Sequence, residues 1–441
     1  MRIIGNGILV TRNDDFPLIL NGAVVIKDNL IIDYGETSEV LEMYQGDFYD
    51  AGGKIIMPGL INAHHHIYSA FARGMNLESP KANNFNDILN NLWWKVDKTL
   101  NLRDVEYSAY ATFIESIKNG VTTVFDHHAS QGAVEGSLFK LAEVAEKLGV
   151  RTSLCYEVSD RDGPDVCKQA IKENIDFIKY ANEKSDMLTG MFGIHASFTV
   201  SDETLATCVE TMEGLDAGYH IHTAEDAFDQ KDSIEKYGKR VVERLNDFGI
   251  ANEKSILVHS IHVDDKEIDI LGKTKSIVVH NPESNMGNAV GRTPIFKLLD
   301  KGVLLGLGTD GFTSDMFESL KVANLIHKHD LKDSNVAWAE SANMLFDANK
   351  EIANRFFERK VGVIEDNAYA DIIVVDYNPI TPLTEDNINS HILFGMMGRS
   401  VVTTMIDGKY VMVDRIIQNV DEDKVMEKSR EISNRFWGRV K

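Results

Sequence analysis

The feature that most narrows the fold is where the polar residues fall. In the middle of the chain, short apolar runs alternate with helix-like stretches. The runs close in turn near His66, Asp126, Glu157, Ser197, Glu225, His259, His280 and Asp310. Eight βα alternations over roughly 250–300 residues predict an α/β fold, a (β/α)8 barrel of TIM type, with a doubly wound open sheet as the alternative. In a barrel these strand ends share the face on which active sites lie. Burying imidazoles and carboxylates together is costly unless they pair or bind metal. The pattern therefore points to a metal site.

Helix ends are marked by glycine. One helix is predicted from Val105 to Asn119, stopping at Gly120, and another from Val134 to Leu148, stopping at Gly149. Glycine just past a helix end suits the left-handed cap. Ser201, with Glu203 and Thr204 behind it, predicts a third helix start. The chain ends read differently. Ile3-Ile4, Ile8-Leu9-Val10, Ala23 to Ile26 and Leu30 to Ile32 are short strands broken by Asn, Asp and Gly. The pattern returns at Ala370 to Asp376 and at Val401 to Val413, where Asp407-Gly408 marks a hairpin. The expected division is residues 1–55 as the first part of a small β-sandwich, 56–360 as the barrel, and 361–441 as the second part with a C-terminal helix.

Charge bounds the partners. The 441 residues carry 46 Lys+Arg against 68 Asp+Glu, a formal net charge of −22, which disfavours nucleic acid or an anionic membrane surface as a partner. Cys155, Cys167 and Cys208 are too few and too scattered for a disulfide framework, so a reducing cytoplasm is expected. The start, MRIIGNGILVTRNDD, has no signal-peptide pattern, and no window approaches a membrane-spanning apolar run.

Four clusters carry the chemistry. In a strand, alternate side chains share a face, so His64 and His66 point together and His65 points away. Such a pair can chelate a metal, and it can equally be a polar strand end. His220 and His222 repeat the arrangement, with Glu225 just beyond. Asp310 follows an apolar run between glycines and suits a ligand or a turn. His259 closes another run, as a substrate contact or a core histidine, and His262 falls past the strand end. His195 and His280 also close runs; the argument rests on their recurrence.

Pro58-Gly59-Leu60-Ile61-Asn62-Ala63-His64-His65-His66 resembles the first-strand motif of the amidohydrolase superfamily. His222 with Glu225, Leu257-Val258-His259, His280-Asn281-Pro282 with Ser284-Asn285, Leu307-Gly308-Thr309-Asp310 and Ala370-Asp371-Ile372 follow in that family's order. The branch resembled holds cytosine, guanine and S-adenosylhomocysteine deaminases and triazine chlorohydrolases. Within it, Leu92 to Asp97, Asp126 to Ser130 and His222 to Asp226 look most like the SsnA-type aminohydrolases, a group associated with purine and xanthine metabolism.

The resemblance implies that His64, His66, His222 and Asp310 bind one divalent metal, zinc ahead of iron. It implies that Glu225 moves protons and that His259 polarises the group under attack, with Asp310 also accepting a proton. No lysine stands at the end of the third or fourth strand to bridge a second metal. Ser197, where relatives often carry proline, and the extra His65 depart from the pattern. The expected activity is hydrolytic deamination of a purine, pterin or pyrimidine, a small heterocyclic substrate, by a metal-activated water with release of ammonia. Glu225 favours deamination over dechlorination. A cyclic amidohydrolase that opens a ring is one alternative; a non-catalytic scaffold is the other. Arg73, Asn76, His127 and His195 are weaker candidates for substrate contacts. Ser69 to Asp97 is expected to form part of a lid, within which Trp93 and Trp94 read as helix packing. Relatives are commonly homodimers.

Overall fold

Both chain ends feed one nine-stranded sheet. In this computed structural model, which describes residues 1–77 and 80–440, the amino-terminal strands Arg2–Val10, Leu18–Lys27 and Leu30–Glu36 lie on one side of Ile55–Pro58. The late strands Ile372–Val375, Val401–Ile406 and Lys409–Val413 lie on the other. The two ends join where Met57 pairs with Ile373 in antiparallel register. Asp407 and Gly408 both take positive φ, 52° and 70°, the twist that a two-residue hairpin needs.

The eight strands expected in the middle are present. They are joined by backbone hydrogen bonds as two parallel sheets rather than one continuous ring. Leu60–His65, Val121–His128 and Arg151–Tyr156 form the first sheet with a short extra strand, Leu188–Gly190. Phe192–Ala196, Tyr219–Thr223, Ile256–His259, Ile277–His280 and Leu304–Leu307 form the second. Single bridges span the gaps, Val158 with Ile194 and His65 with Asp310. His195 N donates to Val158 O at 2.9 Å, and Asp310 N to His64 O at 3.0 Å. These strands are buried along their length, as parallel strands covered by helices must be.

Helix ends follow local chemistry. The first expected helix runs Leu102–Lys118, starting earlier than predicted because Asn101 and Asp104 form a capping box. The second, Ser137–Leu148, starts later because Gly136 is left-handed at φ 82°. Ser201 caps Asp202–Thr211 by accepting from Thr204 N. The C-terminal helix Glu422–Trp437 packs on Leu102–Lys118. Among the described residues, no helix is long and apolar enough to cross a membrane.

A buried ion pair ties the end sheet to the parallel strands. Arg151 Nε donates to Asp371 Oδ2 at 2.9 Å and Nη2 to Oδ1 at 3.2 Å, with both side chains wholly buried. Removing one partner strands a charge, so Asp371→Ala is expected to cost about 3–5 kcal/mol in urea unfolding. Replacing both, as Arg151→Met with Asp371→Leu, should cost much less. Equal losses would show that the pair's charge is not what matters.

Candidate metal centre and pocket

The strand ends bring four imidazoles and two carboxylates together. Strand alternation turns His64 and His66 inward. His65 turns away, and its Nδ1 donates to the Asp310 carbonyl at 2.5 Å. The middle histidine of the triplet therefore pins the first strand to Asp310, three residues past the end of the last one. Ala224, His259, Ser260 and Asp310 all hold positive φ, between 47° and 67°, at the ends of three strands. Strain of this kind in non-glycine residues gathers at functional sites.

Each inward imidazole is aimed by a bond at its other nitrogen. His66 Nδ1 donates to the His127 carbonyl at 2.5 Å, and His222 Nδ1 to the His195 carbonyl at 2.8 Å. His64 Nδ1 lies 2.9 Å from His220 Nε2. The Nε2 atoms then converge. His66 Nε2 is 3.1 Å from His222 Nε2 and 3.1 Å from Asp310 Oδ1, and His64 Nε2 is 3.7 Å from Asp310 Oδ1. Nitrogen and oxygen ligands about 2.0–2.1 Å from a tetrahedral ion stand roughly 3.3 Å apart, so these spacings suit one ion. His64 Nε2 is buried without a hydrogen-bond partner, as is His259 Nε2. A buried orphan nitrogen aimed at a carboxylate is what a ligand position looks like.

Electrostatics agree with that use at His64 and His222. Burial pushes His64 well down, and pushes His222 to about 3 with help from His66, so both imidazoles are neutral and have a lone pair to give. Burial also opposes a charge on His66, but Asp310 overrides it and lifts His66 to about 9. Against burial, His64 and His66 hold the Asp310 carboxyl well below its usual range. Burial, followed by the charge of Asp310, pushes Glu225 well up. The two neighbouring carboxyl groups are thus pushed in opposite directions.

Glu225 and His259 border the centre. His259 Nε2 is 3.5 Å from Glu225 Oε2 and 3.6 Å from Asp310 Oδ2, and its Nδ1 donates to Asn285 Oδ1 at 2.8 Å. A cavity open to solvent stands over these groups. His66, His222, Glu225 and Asp310 line it, and so does His195. Phe85, Leu89, Trp93 and Trp94 wall it from the segment after the first strand. The two tryptophans therefore do more than pack a helix. Arg73 lies at the surface, 2.7 Å from Glu115, and Asn76 is exposed; neither lines the cavity. His127 is buried behind the cluster, its Nε2 3.1 Å from the carbonyls of Ile194 and His220. His262 Nε2 meets the Val290 carbonyl at 2.8 Å, away from the cavity, and His280 sits behind Asn285 against His327.

Residues 55–411 match the model of the amidohydrolase family. The chain belongs to the amidohydrolase family. It is 33% identical over 413 residues to a 5-methylthioadenosine/S-adenosylhomocysteine deaminase of Thermococcus sibiricus, covering 90% of this chain and 94% of that one. It is 31% identical over 446 residues to a 5'-deoxyadenosine deaminase of Methanosarcina barkeri, covering 99% of each. Its fold matches the crystal structure of an adenosine deaminase from Xanthomonas campestris with bound zinc, at a TM-score of 0.87 and 21% identity, covering 99% of this chain and 98% of that one.

In this amidohydrolase, the role of His220 behind His64 was not legible from spacing, which shows only that His220 shares a face with His222. His220→Ala is expected to weaken metal binding about 10–100-fold in chelator competition while leaving the fold intact, as loss of an orienting partner does. Unchanged affinity would remove His220 from that role.

Proposed function

We propose that this amidohydrolase deaminates the adenine ring of a 5'-substituted adenine nucleoside. The carrying observation is a set of overlapping buried triads, among them His64 with His66 and Asp310, and Glu225 with His259 and Asp310, beneath a cavity that His66, His222, Glu225 and Asp310 line. The whole-length relatives named as adenine-nucleoside deaminases support the substrate class. We read the two parallel sheets as halves of one (β/α)8 barrel over residues 56–360, framed by the sheet from 1–55 and 361–441; the two bridges between them support this.

His64, His66, His222 and Asp310 would hold a single divalent ion. Three imidazoles and a carboxylate suit zinc, ahead of iron. When bound, such an ion acts as a Lewis acid and makes water a nucleophile near neutral pH. The chain's own groups handle the protons. Asp310, kept ionised, has Oδ2 free to take one. Glu225, whose carboxyl burial and Asp310 push up, can give one to the ring nitrogen beside the amino-bearing carbon, making that carbon electrophilic. The carboxylate so formed then takes the proton of the added hydroxyl and passes it to the leaving amine as the carbonyl forms. Asn285 accepts from His259 Nδ1, which leaves Nε2 a lone pair aimed at the centre, able to orient the attacking water by accepting from it and, once protonated, to steady charge on the oxygen being added. One C–O bond forms, one C–N bond breaks, and ammonia leaves.

The SsnA-type likeness belongs to this reading. Trp93, Trp94 and Asp97, from one of the segments that carry it, line the cavity, so what marks that group would bear on substrate choice. The test is turnover of 5'-deoxyadenosine and 5'-methylthioadenosine by the metal-loaded protein. One ammonia per adenine converted to hypoxanthine is expected, with kcat/KM of about 10⁴ M⁻¹s⁻¹ or more. Ring opening without ammonia would overturn it.

A further inference from the structure

His259 is held from behind by buried side chains that do not line the cavity. His259 and Ser260 both take positive φ, 67° and 47°. Non-glycine residues keep such a conformation only where their surroundings enforce it. At His259, two side chains do so. Asn285 Oδ1 accepts the ring's Nδ1–H at 2.8 Å, and Thr293 Oγ1 donates to the His259 carbonyl at 2.7 Å.

His280 stands behind both. Its Nδ1 lies 3.1 Å from Thr293 Oγ1 and 3.4 Å from Asn285 Nδ2, and its Nε2 lies 3.2 Å from His327 Nε2. Burial pushes His280 well below the ordinary histidine range and His327 to about 4. Each ring is therefore neutral, with one N–H and one lone pair. A hydroxyl has a single hydrogen, and Thr293 uses it on the His259 carbonyl. Thr293 then accepts from His280, so His280 carries its proton on Nδ1. The lone pair left on His280 Nε2 takes the N–H of His327 Nε2. His327 Nδ1 is in turn a bare lone pair, buried and without a hydrogen-bond partner. Asn285 Nδ2, at the longer distance, makes no bond to the protonated nitrogen. The donors point one way, from His327 through His280 and Thr293 to His259, and hydrogen bonds in such a line strengthen one another.

We infer that Thr293, His280 and His327 are positioning residues for His259, a directed line of hydrogen bonds that holds its strained backbone so that Nε2 faces the reacting atoms. This rests on the role given to His259 in the deaminase reading. The line begins on the helix Met316–Leu331, which carries His327 and places it against His280.

Thr293→Val keeps the side chain's shape and removes its hydrogen; Thr293→Ser keeps the hydroxyl. With the zinc-loaded full chain and 5'-deoxyadenosine, valine should lower kcat about 10–100-fold, with KM changed by less than about threefold and zinc retained. Serine should restore kcat to within about threefold of the parent. His327→Leu should cost about three- to tenfold, and His327→Gln, which can still donate to His280, should recover most of that. A role in stability alone would lower the melting temperature of the valine variant and leave its kcat at the parent's value. NMR of isotopically labelled histidine reads the line without substrate. His280 should be protonated on Nδ1, and the His259 ring signals should move in Thr293→Val and return in Thr293→Ser. A proton on His280 Nε2, unmoved His259 signals, or full kcat in Thr293→Val overturns the inference. If Thr293→Val does not fold, His327→Leu decides by the same readings. If no nucleoside is turned over while the His280 and His259 signals behave as expected, the deaminase reading fails and the positioning stands.

Discussion

Asp310→Ala is expected to lower kcat/KM at least about ten-thousandfold and to leave the purified protein without stoichiometric metal. Asp310 is the one carboxylate among the four converging groups, and its Oδ1 faces both His64 and His66. Without it, three imidazoles face the cavity with no negative charge to balance a dication, and no ionised group remains to take the first proton. Alanine would also sit poorly at φ 56°. Asp310→Asn separates the two effects, since asparagine tolerates that backbone conformation. It should fold as the parent does, by circular dichroism and melting temperature, and still lose metal and turnover. An asparagine variant that keeps both would exclude Asp310 from the centre.

Glu225→Gln should retain the metal and lose about a thousandfold in kcat, with KM changed by less than about threefold. Glutamine preserves the shape of the side chain and the contact of Oε1 with Asn288 Nδ2 at 3.5 Å, but it has no proton to deliver and take back. Burial, then the Asp310 charge, pushes the Glu225 carboxyl up from the usual carboxylate range, the direction that suits a proton donor near neutral pH. Loss of metal in this variant would mean that Glu225 is a ligand. Near-normal turnover would mean that some other group moves the protons.

The inward pair His64 and His66 was legible because strand alternation needs only a local rule. It survives even though the register of that strand against its neighbour shifts between Asn62 and His65. Asp310 was legible as a polar residue closing an apolar run, but not as a ligand rather than a turn; the backbone bonds from Thr309 and Asp310 to His64 decide its place. His65 looked superfluous because its partner, a backbone carbonyl, has no signature in sequence. The tryptophan pair was assigned to packing, which it also does, against Phe85, Ile261 and Val290. The pairing of the two chain ends was suggested by matching strand patterns, but which strands meet depends on the register of Ile55–Pro58 against Ile372–Val375. The break of the parallel strands into two hydrogen-bonded groups could not be read at all, because it turns on single bridges at Val158 and His65.

The most direct test of the proposed centre is the metal content of the purified wild-type chain, measured by elemental mass spectrometry beside His66→Ala. The geometry predicts about one tightly held divalent ion per chain, zinc or an ion that zinc displaces, and its loss in the variant. Two ions per chain, or one retained at full affinity without His66, would contradict a single centre built on His64, His66, His222 and Asp310.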